Sequence, residues 1–258
     1  MNVGSLFSGI GGIELGFERE GFHTEWFVEI DPYARAILAK RFKDAVIYGD
    51  ITKINFREVL KVDIITGGFP CQDISKAGKQ EGITGSRSSL WKEYLRAIRE
   101  IRPKYAFIEN VSALAQSGLN VVLADIAGIG YDAEWYTLSA AEIGAPHQRE
   151  RIFIIAYPHD DGQHRGQEFE RPIQNNIKWD VEKIVRERLR CQSGVIQNYE
   201  YDGTQRMEYS ESWELVPLFC RVADGIPNRV DRIKCLGNAV VPQCAQVFAR
   251  AIKEVEDK

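Results

Sequence analysis

The alternation of two patterns constrains this chain most. Short apolar runs recur at Met1–Phe7, Thr24–Val28, Ala45–Tyr48, Val62–Thr66, Tyr105–Glu109, Ala133–Ser139 and Arg151–Tyr157. Between them lie stretches with helical signals. Pro32 stands where a helix can begin, and Tyr33–Arg41 follows it. Over Ser88–Ile101, residues Leu90, Tyr94, Leu95, Ile98 and Ile101 form one stripe, with Pro103 just past its end. Leu119–Ile129 stops at Gly130. A last helix over Gln243–Val255 puts Cys244, Val247, Phe248, Ile252 and Val255 on one face. Strand, helix, strand repeated in this way predicts an α/β fold: a doubly wound, mostly parallel sheet of about seven strands, covered on both faces. In such sheets ligands bind outside the carboxyl ends of the strands.

Residues 1–156 read as one unit. After Tyr157 the texture changes. One amphipathic helix is expected over Val181–Leu189, with Asp180 as its N-cap. No sheet-period pattern runs through 157–233, so a small insert, part loop, is expected there, with 234–258 returning to the first unit. At 44% hydrophobic and 27% charged the composition is ordinary globular. No run of about 18 apolar residues exists to span a membrane. The first residues lack the basic and apolar regions of a secretory signal, so a cytoplasmic protein is expected. The five cysteines, Cys71, Cys191, Cys220, Cys235 and Cys244, are odd in number, widely spaced and without CxxC. That argues against a disulfide framework or a metal site. The net charge of −4 counts mildly against a nucleic-acid partner. Locally, however, Lys76–Lys104 holds eight basic residues against three acidic ones, directly after Cys71.

Four constellations carry chemistry. "LFSGIGG", Leu6–Gly12, joins the first strand to a helix and lets backbone approach a ligand at Gly9, Gly11 and Gly12. Alone it could equally be a plain tight turn. Glu29 ends the second strand, where an acid can bind ribose hydroxyls. Asp50 ends the third, where a carboxylate can accept from an adenine amine. Each of these acids could also be a helix N-cap. Together, after a glycine-rich turn, they suggest an adenosine-containing cofactor, and no Walker lysine points to a triphosphate. "GGFPCQDIS", Gly67–Ser75, places a thiol behind two glycines and a proline. Most free cysteines are small buried hydrophobes; a nucleophile here would need its thiol activated by a helix N-terminus or the local basic field. Glu109 ends a buried strand, which is costly unless it serves as a polar partner or proton donor. Within His147–Arg151, Arg149 and Arg151 stand two apart before an apolar strand, either an exposed strand start or donors for a planar carbonyl or a phosphate.

In this order, these residues resemble the cytosine-5 DNA methyltransferase family. "FSGIGG" resembles its first motif and "GGFPCQDIS" its Pro-Cys nucleophile loop. "RSSLW" (Arg87–Trp91), "ENV" (Glu109–Val111), "QRER" (Gln148–Arg151) and "GNAVVP" (Gly237–Pro242) resemble the later ones. Ser5 stands where the family commonly has Asp, and His147 where it has Gln. The resemblance implies a Rossmann-like methyltransferase fold with 157–233 as a small target-recognition region. It implies Cys71 as the nucleophile that adds to carbon 6 of a flipped-out cytosine, and Glu109 as the group that holds and protonates ring nitrogen 3. Arg149 and Arg151 would bind the cytosine O2. S-adenosylmethionine would lie against Phe7, Gly9, Gly11, Glu29, Ile30, Asp50, Ile51, Pro70, Leu90, Asn238 and Val240. Gln72, Ser75, Lys76, Lys79 and Arg87 would meet DNA. The implied partners are double-stranded DNA and a cognate restriction endonuclease; no metal is implied, and a monomer is expected. The competing readings are a relative acting on tRNA, a non-catalytic DNA-binding remnant and an NAD oxidoreductase. The Pro-Cys loop and the lack of a clean GxGxxG disfavour the last.

Overall fold

The computed structural model describes residues 1–70, 89–145, 147–159, 181, 183–185 and 229–257. Seven strands form one sheet: β1 Asn2–Leu6, β2 His23–Val28, β3 Val46–Tyr48, β4 Ile64–Gly68, β5 Tyr105–Val111, β6 Tyr131–Leu138 and β7 Arg151–Pro158. Their order is β3-β2-β1-β4-β5-β7-β6. Each expected strand is present within two residues of its expected bounds. β1 to β5 pair in parallel, whereas β7 runs antiparallel to both β5 and β6. The sheet is therefore mostly parallel, with one reversed strand.

Local sequence explains the helices. α1 (Gly12–Glu18) follows the glycine-rich turn. α2 (Pro32–Arg41) is opened by Asp31, whose Oδ1 accepts from the amides of Tyr33 (2.9 Å) and Ala34 (3.3 Å), with Pro32 at the first helical position. α3 (Ser89–Ile101) buries Trp91, Tyr94, Ala97, Ile98 and Ile101. Its stripe is rotated slightly from expectation: Leu90 and Leu95 are only partly buried, because the Trp91 indole turns inward and donates to Asp125 at 2.8 Å. Asp125 lies on α5 (Leu119–Gly128), which follows the short α4 (Leu114–Ser117). Near the end of the chain come α6 (Arg229–Asn238) and α7 (Pro242–Glu256). α6 was not expected, and it runs across the 233/234 boundary. α7 buries all five residues assigned to its apolar face.

Two large cores result, with a small third cluster of Phe27, Leu38 and Phe42 under α2. On one face Phe107, Phe153 and Phe248 bring α7 onto the sheet, with ring centroids 4.7–5.6 Å apart. Residues 181 and 183–185 are helical, and Val181, Ile184 and Val185 are buried in this same core. The rest of the helix expected over Val181–Leu189, with Asp180, lies outside the described residues. The other face packs Trp26, Trp91, Tyr94, Ile98, Val122 and Ile126. Among the described residues no helix is long and apolar enough to cross a membrane.

Candidate active site

A cavity of about 550 Å³ opens over the carboxyl ends of β1 to β5. Its floor is set by the turn from β1 into α1. Phe7, Gly9 and Gly11 all have left-handed φ (52°, 55° and 80°), which swings the backbone amides toward β2. The Gly9 amide donates to Glu29 Oε2 at 2.7 Å, and the Asp31 amide donates to Oε1 at 2.8 Å. Glu29 thus spends one lone pair of each oxygen on backbone and keeps the others for a donor in the cavity. At the end of β3, Asp50 caps a 3-10 turn, Ile51–Lys53, through its contacts with the Thr52 hydroxyl (2.8 Å) and amide (3.0 Å). The hydroxyl above all, and then the amide, hold its carboxyl below the ordinary carboxylate range. Asp50 is therefore both an N-cap and part of the cavity wall.

Of the residues assigned to the cofactor, Phe7, Gly9, Glu29, Ile30, Asp50, Ile51, Pro70, Leu90, Asn238 and Val240 all line this cavity. Ile30 is 69% exposed, an apolar surface offered to a flat ring. Gly11 is not in the wall. It faces α2, where a Cβ would come within 2.6 Å of Phe42. Cys71, Gln72, Ser75, Lys76, Lys79 and Arg87 lie outside the described residues. Pro70, the residue before Cys71, lines the cavity.

The opposite wall is built on β5. The sequence ends this strand at Glu109, but the ladder runs two residues further because β7 supplies partners: Asn110 pairs with Ile152 and Val111 with Arg151. Glu109 is thereby fixed inside a strand between Gly68 and Phe153. It is 9% exposed. A Cβ on Gly68 would stand 2.4 Å from Glu109 Oε2, so a side chain at this end of β4 would displace this carboxyl. Arg151 Nε lies 3.0 Å from Glu109 Oε1. Burial raises the Glu109 pKa, and Arg151 and then Arg149 oppose that rise.

The two arginines stand differently toward Glu109. Arg151 begins β7 and lines the cavity. Arg149 lies outside the strand, with φ at 25°, so strand alternation does not put it on the same side as Arg151. Such a conformation costs on the order of 1–3 kcal/mol and marks a functional constraint more often than chance. Burial lowers the Arg149 pKa.

Two polar groups in the site escaped the sequence reading. Asn110 is buried; its Nδ2 donates to the Phe69 carbonyl at 3.1 Å, and its Oδ1 accepts from the Val111 amide at 2.9 Å. It ties β5 to the backbone that leads into Cys71. The signal was a second polar residue beside Glu109 in an apolar strand. Lys234 on α6 meets Asp31 at 2.6 Å across the cavity mouth, and this hydrogen bond is the largest influence holding the Asp31 carboxyl below its usual range. The 203 residues between them leave no local signal for the pairing.

A doubly wound sheet with one reversed strand near its edge, carrying a cavity over its strand ends, is the architecture of Rossmann-like methyltransferases. Residues 1–225 match the model of the family described as C-5 cytosine-specific DNA methylase, and the chain belongs to that family. It is 42% identical over 172 residues to the type II methyltransferase M2.BsuMI of Bacillus subtilis (strain 168), covering 62% of this chain and 43% of that one. The chain spans about half the length of the curated relatives it matches. Among solved structures, a prophage-encoded protein assigned as a DNA modification methyltransferase (E. coli) is 31% identical. Its TM-score is 0.52, over 61% of this chain and 47% of that chain. Entamoeba histolytica methyltransferase EhMeth shares the fold over 100% of this chain and 98% of its own, with a TM-score of 0.61 and 20% identity.

Proposed function

We propose that this chain transfers a methyl group from S-adenosylmethionine to carbon 5 of a cytosine flipped out of DNA, with Cys71 as nucleophile. One observation carries this reading most: Glu109, buried and with a raised pKa, is paired with Arg151 in the wall of a cavity that also holds Glu29, Asp50 and Pro70. The cavity suits the cofactor. Glu29 has acceptor capacity for ribose hydroxyls, Asp50 for an amine, and Ile30 offers an apolar face for the adenine. Bound there, S-adenosylmethionine supplies an electrophilic methyl group and a thioether leaving group.

The chain's own groups do the rest. Carbon 5 of cytosine is a poor nucleophile, and covalent addition divides one hard step into easier ones. The Cys71 thiolate forms a bond to carbon 6. Electron density moves toward ring nitrogen 3, where Glu109 delivers its proton, and carbon 5 becomes enamine-like. Arg151 steadies the charge at O2. After methylation the proton on carbon 5 leaves to solvent as the C6–S bond breaks. Cys71 departs as thiolate, and the nitrogen 3 proton returns to Glu109. The base must leave the stack for these contacts to form. Residues 157–233 would then read the target, and a restriction endonuclease of the same specificity is the natural partner, as the type II names of the relatives suggest.

A duplex containing 5-fluorocytosine tests this directly, because that base has no carbon 5 proton to lose. With S-adenosylmethionine present it should be trapped on the protein as an adduct stable to detergent. No adduct on DNA, with methyl transfer to tRNA instead, would overturn the substrate.

A further inference from the structure

The arginines beside Glu109 are held in different ways. Arg151 gives its Nε to the carboxyl and faces the cavity. Arg149 turns away: its Nη2 donates to the Ala239 carbonyl at 2.6 Å, across 90 residues of chain. Its Nε is buried with no hydrogen-bond partner. Ala239 sits between Asn238 and Val240, and all three line the cofactor cavity. The next carbonyl, that of Val240, is pressed against the start of α1, where a Cβ on Gly12 would stand 2.4 Å from it. The turn 238–240 is thus clamped between the cofactor-side helix and Arg149, and Arg149 in turn acts electrostatically on Glu109.

We propose that Arg149 is a positioning residue that couples the cofactor cavity to the base site, by pinning the 238–240 turn through the Ala239 carbonyl. Filling the cavity fixes this turn and with it Arg149, which sets the field at Glu109. Linkage makes the effect reciprocal: removing the guanidinium must loosen the cofactor wall. Arg151, whose described bonds go to Glu109 and to the Glu150 carbonyl, does not hold the turn. The proposal rests on the cofactor reading given above.

The test is calorimetric titration of the full chain with S-adenosylhomocysteine, in the absence of DNA. Arg149→Met keeps the aliphatic stem and deletes the donor, and it should weaken binding roughly tenfold, within the usual span of coupling between linked sites. Arg149→Lys should restore part of the loss. Arg250→Met, which removes an arginine of α7 that lies outside the cavity lining and pairs with Glu254, should stay within about twofold of wild type. If Arg149→Met fails to fold, Arg149→Gln, polar but too short to reach Ala239, should show the same loss. Wild-type affinity in the Arg149 variants, or an equal loss in Arg250→Met, would overturn the coupling alone. A wild-type chain that binds no S-adenosylhomocysteine would overturn the cofactor reading, and the coupling with it.

Discussion

Glu29 and Glu109 stand at the same level of one sheet, on opposite sides of one cavity, and their surroundings give them opposite tasks. Glu29 receives two backbone amides and is set as an acceptor. Glu109 receives a single guanidinium contact, lies deep in the wall and holds its proton above the ordinary range. Residue type alone does not separate them. The difference lies in what the neighbouring strand offers. β1 ends in a turn whose Gly9 amide points at Glu29, whereas β4 ends in Gly68, which leaves room for the buried Glu109 carboxyl beside it. The Glu29 side of the cavity is set to accept hydrogen bonds, and the Glu109 side to donate a proton.

Substitutions on the two sides should separate these roles, and substitution of the proposed nucleophile should give the largest effect. Cys71→Ala should lower methyl transfer by about 10⁴-fold or more while S-adenosylhomocysteine binding stays intact; measurable turnover would remove Cys71 from the chemistry. Glu109→Gln should cost about 10²–10⁴-fold in kcat, the range for a lost general acid, without weakening the cofactor. The sign of its pH dependence follows from the raised pKa. The proton is present below the folded pKa and is lost as pH rises through it, so Glu109 sets an alkaline limb in kcat that the Gln variant lacks. Glu29→Ala should do the reverse, weakening the cofactor about 10- to 100-fold with a smaller effect on kcat, as expected for hydrogen bonds to a charged group worth roughly 1.5–3 kcal/mol. Equal effects of both substitutions on cofactor affinity would break the comparison.

The smallest effect concerns stability. Glu14 on α1 is 1% exposed, takes the Thr66 hydroxyl at 2.6 Å on Oε1, and has no hydrogen-bond partner for Oε2. Burial raises its pKa, and Glu18 adds to the rise, against the Thr66 and Ser5 hydroxyls. Its contribution to stability is fully present below the ordinary carboxylate pKa and is lost as pH rises through the folded one. Glu14→Gln should therefore gain in melting temperature relative to wild type between acid and mildly alkaline pH, by roughly 2–4 °C for each kcal/mol recovered. A difference that does not change with pH would mean the carboxyl ionises freely.

Much of this fold was legible because the sheet is buried on both faces. Buried strands read as unbroken apolar runs, and the covering helices show stripes. α6 was not legible. It holds Gly237 and Asn238 in its last turn, residues that punctuate a sequence as a loop, and no apolar stripe outweighs them. The cavity lining was legible where a motif follows a strand, as at Glu29 and Asp50, and at Glu109 through a polar residue in an apolar strand that runs two residues past it. It was not legible where a contact joins distant segments. The bonds from Lys234 to Asp31 and from Arg149 to Ala239 span 203 and 90 residues. Gly11 shows the converse: a glycine in a glycine-rich turn can be there for a neighbouring helix, in this case for Phe42.

The most direct test is to incubate the purified chain with S-adenosylmethionine and unmethylated genomic DNA, and to map 5-methylcytosine base by base. Methylation confined to one short sequence is the predicted result, and it would give the target at the same time. Unmethylated DNA from a chain that demonstrably binds the cofactor would contradict DNA as its substrate.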